Sequence, residues 1–317
     1  MTMPAQYSRW FAYWPLALLA AALLLPQLLG WFGFDFYVSF ATRIMIMALL
    51  ASSLNLLVGT GGMVSLGHAA FFGAGAYTVA ILAREWGGTP AESALLSWPL
   101  AMLVGALLAA FIGAICLRTK GVYFIMSTLA FAQMLFYVFL SLKSYGGDDG
   151  MSLTKRSTLP GIDLGADVVF YYVVLALFAV ALLLLGRLDR ARFGKVLRGI
   201  KDNELRMESL GFAVFRFKLV AFILAGAMAG LAGALMGNLN NFVSPNMMHW
   251  EQSGVVLVMV ILGGLGRLWG GLAGAAALLL LEEILPNFLP HWQILLGVIL
   301  LAVVFFAPRG LAGIFRA

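Results

Sequence analysis

Charged residues and cysteine are both scarce in this 317-residue chain. Only 11% of its residues are charged, whereas 62% are hydrophobic, and the mean hydropathy is +0.98. A soluble domain of this length cannot hide so much apolar surface. The single cysteine, Cys116, excludes a disulfide within the chain. The apolar runs are continuous and lack the alternation of a membrane β-barrel, so the composition predicts an all-α, polytopic membrane protein.

Catalytic and nucleotide-binding motifs are also absent from the sequence. The three histidines lie far apart, and no G-x-x-x-x-G-K-[ST] motif occurs. The sequence therefore predicts a transport subunit rather than an enzyme, with no metal and no cofactor of its own. If ATP drives the transport, separate partner chains must bind and hydrolyse it.

Positive charge is concentrated in one stretch, Arg187 to Lys218. It contains nine basic and four acidic residues and lies between two long apolar halves of the chain. Loops between membrane helices that are rich in lysine and arginine stay in the cytoplasm. This basic stretch therefore predicts the orientation of every other segment, and the high pI reflects topology rather than binding of nucleic acid.

The apolar runs predict about ten membrane helices, with both termini in the cytoplasm, in one transmembrane domain over residues 1–317. The first run is interpreted as an uncleaved helix because no small-residue cleavage site follows it. With this topology, fifteen of the twenty basic residues lie inside. The predicted spans cover residues 14–30, 38–58, 63–83, 98–117, 122–142, 168–185, 219–237, 254–262, 268–285 and 292–306.

Two glycine-rich interruptions fall in the two halves of the chain. Gly61-Gly62 and Gly263-Gly264, the latter followed by Gly266, each precede a span that runs outward. Paired interruptions of this kind mark the translocation site in transporters built from repeats. Two tight turns on the inner side explain the glycines equally well, so gating and packing both remain open.

Polar side chains within the predicted spans are the candidates for a translocation path. His68 is the most notable, because an ionisable residue inside a membrane is a functional hypothesis by default. The alternative is a neutral histidine that makes a hydrogen bond between helices. The candidates are Ser52, Asn55, Ser65, His68, Thr78, Gln133 and Asn238.

Five segments of the chain resemble the permease subunits of branched-chain amino acid ABC importers. Together they span most of the chain, and its length, external loop and tail resemble the LivM-type subunit more than the LivH-type. The segments are GTGGMVSLGHAAFFGAGAY (59–77), GGDDG (146–150), DNELRMESLG (202–211), Ser244-Pro245 with Ser253 and GGLGRLWGGLAGA (263–275), and PRGLAG (308–313).

The resemblance implies a subunit of a binding-protein-dependent importer in the bacterial cytoplasmic (inner) membrane. Its partners would be a second, LivH-type permease, two ATPase subunits that bind ATP, and a periplasmic substrate-binding protein, although homodimeric pairing of the permease stays open. The cargo would be a branched-chain or related hydrophobic amino acid. Residues 151–156 depart from the family's external loop, so urea, short amides and aromatic acids remain alternatives. An ion-coupled transporter would need intramembrane acids, which the predicted mid-membrane regions lack.

A short helix is predicted within the basic stretch, from about Asn203 to Leu210. Asp202 is expected to cap its start, and Gly211 fits the left-handed position after its end. Such a short helix needs a partner for order. Either it docks on an ATPase subunit, as the resemblance implies, or it is a solvated connector. The expected coupling residues are Asp202, Asn203, Glu204, Leu205, Arg206, Met207, Glu208 and Gly211.

Overall fold

The computed structural model describes residues 21–27, 35–89, 92–288, 291–306 and 310–314, and most of these residues are helical. Helix α1 is described over residues 21–27. The other helices are α2 (Asp35–Asn55), α3 (His68–Glu85), α4 (Ala94–Cys116), α5 (Val122–Ser141), α6 (Asp167–Arg190), α7 (Arg192–Asp202), α8 (Glu204–Ser209), α9 (Val214–Asn240), α10 (Trp250–Gly263), α11 (Gly270–Ile284), α12 (Trp292–Phe306) and α13 (Leu311–Ile314).

Among the described residues, five helices are long and apolar enough to cross a membrane. They are Phe36–Thr60, Ala94–Cys116, Val122–Ser141, Asp167–Arg190 and Val214–Asn240, and Trp250–Gly263 and Trp292–Val303 are shorter apolar helices. The prediction of a polytopic helical membrane protein is confirmed. The count of ten crossings stays a prediction, because most of the first predicted span lies outside the described residues. The two chain termini also lie outside them, so their cytoplasmic placement stays a prediction too.

Helix α9 is the element around which the bundle packs. It contacts α2, α3 and α4 along a face of small residues, so that helix backbones lie directly against each other. A Cβ atom on Gly230 would overlap the carbonyl oxygen of Ala101 in α4, and one on Gly75 in α3 would overlap that of Gly230. The glycine spacing of α9 therefore serves close packing within the chain.

The connection between α2 and α3 is irregular over more residues than the sequence predicted. Helix α2 continues into a π-helix, Leu56–Thr60, and the chain then stays non-helical until His68. The predicted third span starts five residues too early, at Met63. Leu66 N donates to Thr128 Oγ1 (3.3 Å) and Ala69 N donates to Ser253 Oγ (2.9 Å). Hydroxyl groups of α5 and α10 thus accept the N–H groups that lack helical partners at this break.

A small β-sheet departs from the purely helical prediction. Strands β1 (Met151–Ser152) and β2 (Phe242–Val243) pair antiparallel, with Met151 opposite Val243. The sheet forms because two loops run side by side across the same end of the bundle, where their extended backbones satisfy each other's hydrogen bonds. Arg156 stabilises the same region by donating to the Asn238 carbonyl (3.1 Å) and to Asp167 Oδ1 (2.5 Å).

The loops at the two ends of the bundle form separate groups. The segments around residues 93, 151–158 and 242, all predicted to be external, are joined by strand pairing and a bridge between Ser93 and Thr158. At the other end, Lys201 Nζ donates to the Gly59 carbonyl (2.8 Å), and Lys120 pairs with Glu204 (3.4 Å). The structure therefore groups the loops as the alternating topology requires.

The topology predicts that Asp149 faces the outside and Ser209 faces the cytoplasm. Both residues are exposed, whereas the native Cys116 is buried. In a Cys116→Ala background, Asp149→Cys should react with a membrane-impermeant maleimide in right-side-out membranes, and Ser209→Cys should react only after the membranes are opened. Labelling of both positions from the same side would overturn the predicted alternation.

Candidate functional site

His68 begins α3 and is completely buried. Its Nε2 lies 2.7 Å from Ser53 Oγ, and Ser53 Oγ lies 2.7 Å from the Leu50 carbonyl oxygen. Because a serine has one hydroxyl hydrogen, which Leu50 accepts, Nε2 must carry the proton and donate to Ser53. Nδ1 is then an acceptor without a partner among the described residues. This arrangement favours the neutral, helix-bridging histidine over a proton carrier.

Asn55 joins the two glycine-rich interruptions. Its Nδ2 donates to the Arg267 carbonyl (2.7 Å) and its Oδ1 accepts from Gly266 N (2.9 Å). Gly59, one turn further along, packs so closely against Gly266 that no side chain fits between them. The two glycine-rich turns are therefore one structural unit, held by a side chain that satisfies a donor and an acceptor of the second turn.

A cavity of about 30 Å³ lies beside this link, lined by residues that include Ser52, Asn55, Thr60 and Arg267. The Ser52 hydroxyl is buried and has no hydrogen-bond partner among the described residues. A cavity of this size holds about one water molecule, which the hydroxyl would bind. In this conformation, the space is too small for an organic substrate.

Two further segments converge on the same junction. Gly264 has φ +110° and packs against Gly310, and Arg267 Nη1 donates to the Ala312 carbonyl (2.5 Å). From the basic stretch, the side chain of Lys201 in α7 lies across Gly62. The predicted gating glycines at 61–62 and 263–266 thus occupy one place in the fold, where the tail and the basic stretch meet them.

The remaining path candidates do not share this place. Ser65 is buried and accepts from Gly67 N (3.2 Å), so it stabilises the break before α3. Thr78 donates to the Ala74 carbonyl of its own helix (2.8 Å). Gln133 lies on α5, and its Nε2 has no partner among the described residues. Asn238 accepts from Ser157 N (2.7 Å) and so holds the loop at the opposite end of the bundle.

Helix α8 confirms the predicted helix and corrects its cap. Asn203, not Asp202, is the N-cap: its φ is −159°, and its Oδ1 accepts from Arg206 N (2.9 Å). Asp202 is instead the last residue of α7, a helix that the sequence analysis had not predicted. Gly211 has φ +84°, as predicted for the residue after the helix.

Glu204, in the first turn of α8, is held by two lysines. Lys218 Nζ lies 2.9 Å and Lys120 Nζ 3.4 Å from its carboxylate oxygens. Partial burial acts to raise the pKa of the Glu204 carboxyl, but the hydrogen bond and charge of Lys218 and the charge of Lys120 outweigh it and lower that pKa. The carboxylate is therefore ionised at neutral pH. Leu205 in α8 and Leu210, which directly follows the helix, remain largely exposed, at 71% and 65%.

Sequence reasoning had not assigned the residues that hold these elements together. Lys201, Ser253 and Thr128 each bond to backbone atoms of the segment from Gly59 to Ala69, far away in sequence. For Ser253 and Thr128, the hydroxyl group in an otherwise apolar span could have indicated a hydrogen bond to another segment. Nothing in the local sequence distinguishes Lys201 from the other basic residues of its stretch as the one that contacts Gly59.

A helical membrane bundle with buried polar breaks and a basic loop is typical of a transport permease. A sequence profile of the family described as "Branched-chain amino acid transport system / permease component" matches residues 36–304, and the chain belongs to this family. It is a multi-pass protein of the inner membrane.

Three relatives carry names of branched-chain amino acid transport permeases. The chain is 31% identical over 301 residues to "High-affinity branched-chain amino acid transport system permease protein LivM" of Salmonella typhimurium, and equally to that of Escherichia coli. Each alignment covers 86% of this chain and 69% of the relative. A probable LivH of Methanocaldococcus jannaschii is 23% identical over 290 residues, covering 85% of this chain and 89% of the relative. No solved structure matches the chain at a significant level.

The link made by Asn55 predicts a specific loss of stability. In Asn55→Leu, the Gly266 N–H and the Arg267 carbonyl lose their partner in a partly buried place, which should lower the free energy of unfolding by about 1–3 kcal/mol. Asn287→Leu is the matched control, because Asn287 is exposed and its Nδ2 donates to the nearby Glu283 carbonyl, within its own helical end. Unfolding of the purified protein in mixed micelles measures both. An equal, small effect of the two changes would show that the link is dispensable.

Proposed function

We propose that this chain is a permease subunit that forms the translocation path for branched-chain amino acids in a binding-protein-dependent ABC importer. The observation that carries this proposal is the family match over residues 36–304, supported by 31% identity to two LivM permeases. The same comparisons do not favour urea, short amides or aromatic acids as the cargo. The lack of a P-loop in the sequence agrees with ATP hydrolysis on partner chains.

The proposed assembly contains a second, LivH-type permease, two ATPase subunits and a periplasmic binding protein. A probable LivH is itself among the relatives of this chain, which supports pairing of two similar permeases. Ten spans with both termini in the cytoplasm place the basic stretch from Arg187 to Lys218 next to the ATPases. This chain then supplies the route, and selection of the cargo falls mainly to the binding protein.

We infer that the inner end of this route is controlled at the junction around Asn55. There, the π-helix at the end of α2 lies against the turn between α10 and α11 with glycine backbone on both sides. Such a contact has few interlocked side chains to resist sliding. Ser52 and Asn55 lie at this junction, and Ser65 and His68 lie at the break before α3 and at the start of that helix. These four remain the stronger path candidates, whereas Asn238 has a structural role at the other end.

Helix α8 is the proposed contact with an ATPase. Leu205 and Leu210 expose apolar surface that neither α7 nor α9 covers, and a short helix gains order from a partner that does. Glu204 fastens α8 to the membrane helices through Lys218 and Lys120. A force on α8 therefore reaches α9 and the turn between α4 and α5 through ion pairs rather than through a flexible loop.

The function is tested by uptake into liposomes that contain this chain, the LivH-type permease and both ATPases. With ATP inside and the binding protein outside, labelled leucine should accumulate, and unlabelled valine or isoleucine should compete. The same liposomes without the ATPase subunits should take up nothing. Competition by urea or benzoate, but not by valine, would contradict the proposed cargo. Uptake by this chain alone would contradict the importer.

Coupling through α8 is tested with Gly211→Val and Glu204→Lys. A β-branched residue at φ +84° costs about 1–2 kcal/mol, which lowers the population of the intact α8 about five- to thirtyfold. Glu204→Lys replaces two ion pairs with repulsion. Both changes should reduce the ATPase activity that loaded binding protein stimulates in the assembled importer.

The matched control for this test is Gly161→Val. Gly161 has φ +78° and open space around it, so the change imposes similar backbone strain in the loop at the opposite end of the bundle. It should leave the stimulated ATPase activity intact. If the α8 variants assemble normally and retain full stimulation and uptake, α8 is a solvated connector and not the coupling element.

A further inference from the structure

A second cavity, of about 190 Å³, opens at the inner end of the bundle. It lies between the break after the π-helix, the turn from α4 to α5, the start of α8 and the first turn of α9. An apolar protein cavity of about 150 Å³ is large enough to bind benzene. This cavity therefore has room for a small organic molecule, in contrast to the space beside Ser52.

One side of the cavity is apolar. Met63, Leu117 and Phe124 line it and are at least nine-tenths buried, and Val64 and Ile125 extend the same surface toward the opening. These side chains belong to three different segments that the fold brings together. A branched aliphatic group placed here would lose its contact with water without displacing any polar partner.

The other side of the cavity carries three charges. Lys218 and Lys120 flank the Glu204 carboxylate, so two ammonium groups face one carboxylate. Lys218 is only 14% exposed and makes the shorter contact, whereas Lys120 is 65% exposed at 3.4 Å. An ammonium group has three N–H donors, so Lys120 retains donors for a second anion. The carboxylate likewise has lone pairs for a second cation.

We propose that this cavity is an inward-facing binding site for an aliphatic α-amino acid. The carboxylate of the ligand binds Lys120, with Lys218 close behind, its ammonium group binds Glu204, and its side chain lies on the surface formed by Met63, Leu117 and Phe124. The choice of leucine as ligand rests on the proposed function, whereas the three chemical requirements come from the cavity itself. The cavity thus offers a cationic group, an anionic group and an apolar surface, which match the three parts of a zwitterion with a branched apolar side chain.

The location of the site gives it a regulatory consequence. Glu204 begins α8, and its ion pairs with the two lysines fasten α8 to the membrane helices. A bound amino acid shares these same charged groups through their free donors and lone pairs, and this sharing weakens the attraction between Glu204 and the two lysines. Cytoplasmic amino acid would then loosen the proposed coupling helix and slow further import, so that accumulated product limits its own uptake.

Binding is tested on the purified full-length chain in nanodiscs of phosphatidylcholine, without ATPases or binding protein. Labelled leucine should bind saturably. Three unlabelled probes should compete at least about tenfold more weakly, because each lacks one matched interaction. These probes are 4-methylpentanoate without the ammonium group, 3-methylbutylamine without the carboxylate, and serine without the apolar tail.

Lys120→Met is the informative variant, since Lys120 is exposed and its replacement leaves the core unchanged. Leucine affinity should fall about tenfold. Lys195→Met removes an exposed lysine that does not line the cavity, and it should bind leucine as the unmodified chain does. In the assembled importer, leucine preloaded inside the liposomes should slow uptake by the unmodified chain more than by Lys120→Met.

Several results would overturn this inference. They are the absence of saturable leucine binding, equal competition by the amine, and equal affinity of the Lys120→Met and Lys195→Met variants. Loss of leucine binding when phosphatidylglycerol replaces phosphatidylcholine would assign the lysines to an anionic lipid and also overturn it. Because this assay contains no other subunit, it can fail while ATP-driven leucine uptake succeeds, which would leave the proposed function intact.

Discussion

Close contact between helix backbones is the constraint on which the rest of this structure depends. In a membrane, lipid tails solvate apolar side chains as well as protein does, so helices associate through dispersion contacts at short range. Gly75, Gly105 and Gly230 lie where α3, α4 and α9 meet, and none has room for a side chain. This contact fixes α3 beside α9, and α3 in turn fixes the position of the break that precedes it.

The break before α3 needs compensation, because unpaired backbone groups are costly in the apolar part of a membrane. Thr128 and Ser253 supply hydroxyl acceptors from two neighbouring helices, and Ser65 supplies one locally. Asn55 does the same for the turn at Gly266 and Arg267. The irregular segments are therefore held by single hydrogen bonds rather than by helix ladders, and they are the part of the bundle that rearranges at the lowest cost.

The sequence predicted the helical membrane class and the helix followed by Gly211, because each rests on a local pattern. It predicted a start at Met63 for the third span because the acceptors at Thr128 and Ser253 are distant in sequence. The sequence predicted Asp202 rather than Asn203 as the N-cap of α8, because both residue types cap helices well. The choice depends on where α7 ends, and Asp202 is its last residue. The contact of Asn55 with the second glycine turn spans more than two hundred residues and has no local signal.

The inner junction also limits how the cytoplasmic helices can move. Lys201 Nζ donates to the Gly59 carbonyl, and the aliphatic part of its side chain lies across Gly62. Helix α7 is therefore attached to the last turn of the π-helix and to the residues that follow it. Asn55, one turn earlier, is attached to the second glycine turn, and Arg267 in that turn is attached to Ala312 in the tail. A partner that displaces α7 must therefore either disrupt the hydrogen bond between Lys201 and Gly59 or move the non-helical segment before α3 together with α7. A hydrogen bond from a lysine ammonium to a partly buried carbonyl is stronger than a hydrogen bond between neutral groups. Movement of the non-helical segment together with α7 therefore costs less free energy than loss of this bond.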